Sequence, residues 1–428
     1  MYINITKHKQ LPFSNISHYI LAILLILSCH TLVGTLIGGT RLLLICIGGT
    51  IVSVLLNIRL VFYLKKALWH AIILYFLIIL LLLIGDFKYF YFAATYGVLA
   101  GLLFLGAALD DSGEYFYKVL HAFANVVLII AAISLFFFLF GTIGNKIPPL
   151  TTYSFKEINW SNFDYNNYYF LYNDGQYTDI FGNYVLRNIG IFLEAPMYTL
   201  PLVLALYDFL FFRKSINWIS IGILLFTMAS TLSTTAYIFA ALLLTIRFFE
   251  KIRNNTILKV IIAPIFTLIL LSFVTSILSD KLSTTNLSGV ARLDDIQASV
   301  HSFMKHPFLG NGYNNARALD PFRTSYTKNI VRNSREAGQS TGLFAIMSNG
   351  GLVYLSIWIL PLIHAISHMK DKYSRAINYK STFIIAFNIL LLVTAIQTEY
   401  ICVFFTVMCI YISTQEDIID KIGDEMYE

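Results

Sequence analysis

Two polar segments stand out in an otherwise apolar chain, because they combine residue types that can bind anions and move protons. The first is RNIGIFLEAPMY (187–198), in which Arg187 and Glu194 are seven positions apart. That spacing is about two helical turns, so both side chains would share one face of a helix. An ionisable residue inside an apolar run is costly unless it faces a polar cavity. The segment therefore predicts a polar site holding both charges or, alternatively, a structural Arg187–Glu194 ion pair.

The second segment, GVARLDDIQASVHSFMKHPFLGNGYNNAR (289–317), is predicted to be an amphipathic helix followed by a glycine turn. Apolar residues recur at helical spacing, and Pro307 ends the helix because proline cannot continue one. Gly310 and Gly312 then permit a tight turn in which the backbone approaches its neighbours closely. His306 is a candidate general base, although a helix-end histidine more often makes a local hydrogen bond.

Positive charge is concentrated around the second segment. The basic residues of 279–340 are Lys281, Arg292, Lys305, Arg317, Arg323, Lys328, Arg332 and Arg335. Arginine presents a planar, permanently charged fork that holds phosphate oxygens in pairs. This region therefore predicts a site for a phosphate-bearing substrate. The alternative for any one of these residues is a solvated charged surface.

Several other kinds of site are disfavoured by the sequence. The lone Gly-x-Gly of the second segment follows no strand, which excludes a dinucleotide-binding fold, and no phosphate-binding loop or zinc-ligand spacing is present. The four cysteines lie in apolar runs and are interpreted as small buried residues. We therefore expect no metal, no cofactor and no nucleic-acid partner.

The elements that must position these residues are membrane-spanning helices. The chain has 428 residues, of which 57% are hydrophobic and only 13% charged, and its mean hydropathy is +0.70. Soluble domains are about 25% charged, whereas repeated apolar runs of about 20 residues are typical of membrane spans. We expect an all-α integral membrane protein, a single polytopic domain over 1–428, with about 12 spans. The apolar runs are 18–38, 42–64, 67–85, 89–109, 118–140, 190–212, 216–231, 234–249, 256–278, 341–366, 381–398 and 400–414.

Loop charges predict the orientation of the spans. Lysine and arginine cluster in short connections that would face the cytoplasm, so both termini are expected there. Two long segments, 141–189 and 279–340, then fall on the outer side. Loops of this length in a compact protein usually carry function. Solvated tethers are the alternative interpretation.

Four segments together resemble a known family. In chain order they are RNIGIFLEAPMY (187–198), TLSTTAYIFAALLL (231–244), RLDDIQASVHSFMKHPFLGNGYNN (292–315) and QSTGLFAIMSNGGLVYL (339–355). Their order and loop position resemble the O-antigen polymerase and ligase superfamily, whose signature includes an arginine, an amphipathic helix and His-Pro-x-x-Gly-x-Gly. The N-terminal third resembles that family only in hydropathy.

The resemblance implies metal-independent, inverting glycosyl transfer at the outer face of the bacterial inner or plasma membrane. The donor would be a glycan on undecaprenyl diphosphate, and Arg187 and Arg292 would hold the diphosphate leaving group. We add Arg317, Arg332 and Arg335 of the same basic region to the predicted diphosphate-binding set. Expected partners are these lipid-linked glycans, membrane lipids, and a chain-length regulator and a flippase of the same pathway.

One departure from the family pattern bears on the reaction subtype. Many ligases have His-Asn where this chain has Gln339 and Ser340. Glutamine cannot accept a proton as a general base, so Gln339 would orient a sugar. The base would then be Glu194, His306 or Glu336, unless no strong base is needed. We therefore expect a polymerase of surface-polysaccharide repeat units, with a ligase or a flippase or transporter as the alternatives.

Overall fold

The computed structural model describes most of the chain. The described residues are 14–57, 90–110, 113–154, 164–180, 183–251, 287–325, 339–369 and 378–427. Two of the predicted spans, 67–85 and 256–278, lie outside these ranges. Arg332, Arg335 and Glu336 of the predicted site also lie outside them.

The described chain is mostly helical. Its α-helices are α1 (Ser14–Leu27), α2 (Leu32–Ile37), α3 (Gly39–Asn57), α4 (Phe90–Ala108), α5 (Tyr115–Phe137), α6 (Ala195–Tyr207), α7 (Trp218–Ser230), α8 (Thr234–Lys251), α9 (Leu287–Lys305), α10 (Gly342–Ser367), α11 (Tyr379–Val393) and α12 (Tyr400–Tyr427). Short π-helical turns, Phe138–Ile143 and Asp208–Phe212, continue α5 and α6.

Several helices are long and apolar enough to cross a membrane. Within the described ranges there are four, namely Gly39–Leu56, Tyr115–Ile143, Ala195–Phe212 and Gly342–Ser367. Shorter apolar helices of 10–17 residues accompany them. The prediction of about 12 spans is therefore not reproduced. Two of the predicted spans lie outside the described ranges, and several others correspond to the shorter apolar helices, such as Trp218–Ser230.

The described part of the first long loop, 141–189, adds five short strands to the helical fold. These are β1 (Thr151–Ser154), β2 (Asp164–Tyr168), β3 (Tyr172–Asp174), β4 (Tyr177–Ile180) and β5 (Asn183–Leu186). The first three form an antiparallel sheet in the order β1-β2-β3, and β4 and β5 form a hairpin. Asp174 joins this sheet to the helices, because its carboxylate accepts hydrogen bonds from Thr142 at 2.7 Å and Tyr168 at 3.1 Å.

The helices pack around a core rich in buried aromatic rings. Phe116, Phe404 and Phe405 meet edge to face, with ring centroids 5.1–5.5 Å apart. Some polar atoms in this core are paired across helices, as where the Tyr400 hydroxyl lies 2.7 Å from that of Thr50. Pairing of this kind lets a hydroxyl be buried without an unsatisfied partner.

Helix α6 gives the bundle two distinguishable ends. It has 13 residues, begins directly after Glu194 and ends before Asp208, so these acids are separated by about 20 Å. At the Glu194 end, the Leu193 amide donates to the carbonyl of His30, 3.0 Å away. At the Asp208 end, the Tyr207 hydroxyl donates to the Tyr379 carbonyl at 2.7 Å. We call these the Glu194 end and the Asp208 end.

Candidate functional site

Arg187 is fixed by backbone carbonyls at the Glu194 end. Its Nε donates to the carbonyl of Thr231 at 2.8 Å, and its Nη2 donates to that of Leu232 at 3.3 Å. Both carbonyls belong to the turn between α7 and α8, where Leu232 has a φ of 50°. The Arg187 guanidinium is therefore oriented by the TLSTT segment (231–235). This segment begins the second of the four segments that resemble the family, and Arg187 begins the first.

Arg187 and Glu194 are brought together, but not by a helix. The chain from 187 to 194 is non-helical, and Glu194 is the N-cap of α6 with φ −144° and ψ 146°. Gly190, with a φ of 59°, makes a turn in which its amide binds the Asn188 side chain at 3.0 Å. The prediction of a shared helical face was thus wrong, although the two residues are electrostatic neighbours.

Arg292, on α9, completes a charged cluster with Arg187 and Glu194. Burial lowers the pKa of Arg187 to about 10, the Glu194 carboxylate opposes that shift, and the nearby Arg292 guanidinium adds to it. Burial also lowers the pKa of Arg292, again opposed by Glu194. Arg187 stays protonated at neutral pH, since a pKa of about 10 is well above 7. We call these three residues the arginine cluster.

The arginine cluster is positively charged and incompletely paired. Its two guanidinium groups face one carboxylate, which leaves an excess positive charge. Among the described residues, the Arg292 guanidinium has no hydrogen-bond acceptor or carboxylate within bonding distance. Two half-buried guanidinium groups with donors to spare are suited to bind an anion with several oxygens, such as a diphosphate.

A second pair, His30 and Glu399, lies beside this cluster. Neither residue is among those that the sequence predicted to be catalytic. His30 Nε2 is 3.0 Å from Glu399 Oε1. Burial lowers the pKa of His30, but the Glu399 charge and hydrogen bond, together with the Glu194 charge, raise it above its ordinary value overall. The signal for Glu399 was present in the sequence, because it is a lone carboxylate between the apolar runs 381–398 and 400–414.

Glu399 lies in the wall of a cavity of about 260 Å³. The cavity is lined by Ser28, Gly39, Leu42, Leu43, Cys46, Tyr96, Tyr313, Asn314, Thr398, Glu399 and Tyr400. Tyr313 and Asn314 directly follow the predicted glycine turn. The second polar segment therefore does reach a cavity, through residues outside the predicted set.

The glycine turn itself docks into a break in helix α10. Gly351 interrupts that helix with φ 58° and ψ −156°. The Asn311 and Gly312 amides donate to the carbonyls of Ser348 and Asn349, at 3.1 and 2.8 Å. In the other direction, the Leu352 and Val353 amides donate to the carbonyls of Pro307 and Phe308, at 2.8 and 3.1 Å. The turn thus satisfies backbone groups on both sides of the break, as an interrupted helix in an apolar setting requires.

This docking gives Gly310 and Gly312 of the predicted turn a structural role. Gly310 has a φ of 65°, and a Cβ there would overlap the Asn349 carbonyl. Gly312 has a φ of 95°. His306 directly follows the last residue of the helix; its carbonyl accepts a hydrogen bond from the Gly310 amide at 3.0 Å, and its side chain is exposed. The helix ends at Lys305, as the Pro307 signal predicted.

The remaining predicted residues are spread around the second loop. Gln339 donates from Nε2 to Ser348 Oγ at 3.1 Å, and its Oε1 is buried without a hydrogen bond among the described residues. Arg317 is exposed. Arg323, which the basic count included, is fully buried and pairs with Asp295 at 3.1 Å, so its charge is used within the fold.

The polar face of α9 points inward, towards these contacts. Asp295 is fully buried and accepts hydrogen bonds from the Ser340 amide at 2.9 Å and hydroxyl at 2.6 Å. The exposed side of the helix mixes apolar and polar residues: Leu293 is 42% and Met304 69% exposed, and Gln297 and His301 are exposed beside them.

The arrangement cannot be assigned by similarity. Within the described ranges, no group of three or more His, Cys, Asp or Glu side chains is placed to hold a metal ion. No protein-family model, curated protein or solved structure matches the chain. Any functional assignment therefore depends on the residues themselves.

Proposed function

We propose that the chain is a membrane glycosyltransferase that polymerises undecaprenyl-diphosphate-linked oligosaccharide repeat units of O-antigen or capsule. The reaction takes place at the outer face of the bacterial cytoplasmic membrane. The apolar helices support a membrane protein. The observation that carries the proposal is the arginine cluster, in which Arg187 and Arg292 converge at one end of the bundle with a single carboxylate between them.

The charge of this cluster suits the leaving group of the proposed reaction. An acceptor hydroxyl attacks the anomeric carbon of the donor sugar from the face opposite the diphosphate, which inverts the configuration. The bond between that carbon and the diphosphate oxygen breaks, and its electron pair remains on the diphosphate. Arg187 and Arg292 stabilise this developing charge, and fixed cations in a half-buried site do so strongly.

The other predicted catalytic residues have different places in the proposal. Glu194 balances part of the arginine charge and keeps the two guanidinium groups together. Gln339 orients a sugar hydroxyl through its buried Oε1. His306 is exposed at the end of α9, and Arg317 contributes positive charge at the same loop. Arg332 and Arg335 remain predicted members of the cationic surface.

Orientation is part of the proposal. The Glu194 end faces outward and the Asp208 end faces the cytoplasm, which agrees with the charge distribution of the short loops. Exposed serines offer a matched test, because Ser325 belongs to the second outer loop and Ser215 to the Asp208 end. In a cysteine-free background, an impermeant thiol reagent should label Ser325→Cys and not Ser215→Cys in outer-permeabilised cells. The reverse pattern would invert the topology and remove the proposal.

The function itself is tested by glycan analysis of a deletion strain. Loss of a polymerase should leave single repeat units on the surface lipid or exported, with long chains absent. Loss of a ligase should leave no glycan attached, and loss of a flippase should leave lipid-linked units inside the cell. Normal chain length in the deletion strain would exclude a role in polymerisation.

A further inference from the structure

The cavity beside Glu399 is a second candidate site, separate from the arginine cluster. Its walls differ from the arginine cluster, since no arginine or lysine contributes to them. One wall is apolar, with Leu42, Leu43 and Cys46 from α3. The opposite walls combine tyrosine rings with amide, hydroxyl and carboxylate groups.

These walls are matched to a carbohydrate. Tyrosine rings pack against the apolar C–H face of a sugar and offer a hydroxyl as a polar handle. Asn314 and Thr398 can both donate and accept hydrogen bonds, whereas ionised Glu399 can only accept. A volume of about 260 Å³ lies just below the usual range of small-molecule sites, about 300–1,000 Å³, which favours one sugar unit over a long glycan.

The cavity and the arginine cluster are adjacent. His30 pairs with Glu399 through its ring, at 3.0 Å. Through its backbone carbonyl it binds the amide of Leu193, the residue before Glu194, also at 3.0 Å. A second backbone bond, from Leu32 to the Ile191 carbonyl at 3.0 Å, fixes the same two segments together. One residue therefore joins a cationic site to a carboxylate-containing cavity.

We propose that this cavity binds the sugar of the acceptor glycan and that Glu399 is the general base for its attacking hydroxyl. The proposal rests on the polymerase function and assigns its second substrate. His30 is a positioning residue, because it holds one carboxylate oxygen and turns the other towards the acceptor. The arginines bind the diphosphate leaving group, on which negative charge develops. The Glu399 carboxylate binds the attacking hydroxyl, on which positive charge develops.

The step balances without a metal or redox partner. The acceptor O–H proton passes to Glu399 Oε2 as the oxygen forms its bond to the anomeric carbon of the donor. The bond from that carbon to the diphosphate breaks, and the diphosphate keeps the electron pair beside Arg187 and Arg292. Glu399 then releases its proton to water and regains its charge.

The first test compares two carboxylate variants in the deletion strain. Glu399→Gln keeps the shape and removes the base, so long chains should fall by about 100-fold or more. Glu250→Gln is the control, since Glu250 pairs with Arg247 on the far half of α8. It should leave chain length unchanged. Membrane abundance and melting temperature in detergent should be near wild type for both variants.

The outcomes separate this inference from the proposed function. Normal polymer in the deletion strain removes the polymerase proposal itself. Absent polymer in the deletion strain with normal chains from Glu399→Gln removes only the assignment of Glu399. A loss of chains that follows a loss of Glu399→Gln protein would mean that the residue is structural, which also overturns the assignment.

A second test asks whether the cavity holds substrate. Thr398 lines it, so a cysteine-free protein with Thr398→Cys should lose polymerisation when treated with a small charged methanethiosulfonate reagent. Gln297→Cys, on the exposed side of α9, is the control and should keep its activity after modification. Modification of Thr398→Cys without loss of polymer, or no modification at all, would exclude an acceptor site there.

Discussion

The two ends of helix α6 each carry a charged cluster, and the clusters differ in how completely their charges are paired. At the Asp208 end, the fully buried Asp208 binds Arg213 at 2.6 Å and also His121. Arg213 further donates to the His121 carbonyl at 2.9 Å and to Asn125 at 3.0 Å. At the Glu194 end, the arginine cluster has two cations and one carboxylate.

The difference separates a structural cluster from a binding cluster. A buried carboxylate whose partners are all in place is a closed network, and removing one member leaves an uncompensated charge. A cluster with guanidinium donors to spare is stable enough to exist and still has capacity for an outside anion. We therefore assign a structural role to the Asp208 end of the helix and propose a binding role for its Glu194 end.

The largest expected effect is on stability, at the Asp208 end. Asp208→Ala removes the carboxylate that Arg213 and His121 share, and should lower the free energy of unfolding by about 3 kcal/mol. Membrane abundance and detergent melting temperature measure this loss. Polymer formed per molecule of surviving protein should be unchanged. A normal melting temperature would contradict the structural assignment.

The next effect is on activity, at the Glu194 end. Under the proposed function, Arg292→Ala should reduce long-chain polymer by about 100- to 1,000-fold, because the cation proposed to stabilise the leaving group is lost. Arg292→Lys should recover little, since a point charge does not reproduce a planar fork. A gel measures the chain length of the polymer, and a blot measures the abundance of the variant protein. Wild-type chains from the alanine variant would remove Arg292 from the site.

Gly310→Ala should lower stability and not activity, as Asp208→Ala does, although Gly310 lies near the Glu399 cavity. A φ of 65° is strained for alanine by about 1–3 kcal/mol, and the added Cβ would overlap the Asn349 carbonyl. Protein levels should fall while activity per molecule persists. Normal levels with no polymer would instead indicate that the turn contacts the substrate.

Arg187→Lys should give the smallest change in stability, together with a loss of activity. Lysine keeps the charge but cannot donate to the Thr231 and Leu232 carbonyls together, so stability should fall by about 1 kcal/mol. Long-chain polymer should be strongly reduced, as in Arg292→Lys, since a point charge does not reproduce a planar fork. A melting curve and a chain-length gel of the same sample measure both. Equal stability to wild type would show that the carbonyl contacts contribute nothing.

Part of this fold could be predicted from the sequence. The apolar runs indicated helices fit for a membrane, and Pro307 located the end of α9 correctly. The short strands of 141–189 were not predicted, because segments such as DYNNY lack the length and alternation that mark a strand. The closeness of Arg187 and Glu194 was predicted from helical spacing, whereas a turn at Gly190 produces it.

Long-range placement explains what could not be predicted. Glu399 is far in sequence from His30, and nothing local links the two. Likewise, Gly310 and Gly312 could be recognised as a turn, but their partner is a break in α10 near Gly351. The periodicity of apolar residues describes one helix or strand at a time, so it does not predict contacts between elements.

The capped break in α10 makes the second long loop unevenly tolerant of insertions. Four backbone hydrogen bonds join the turn to the break. The Asn311 and Gly312 amides donate to residues 348 and 349, and the carbonyls of residues 307 and 308 accept from residues 352 and 353. One residue added inside the turn would break two of these hydrogen bonds. The peptide groups would then be left without partners in a place where water cannot satisfy them. An epitope tag or fluorescent domain belongs instead after the exposed Ser325, where it leaves this backbone register intact.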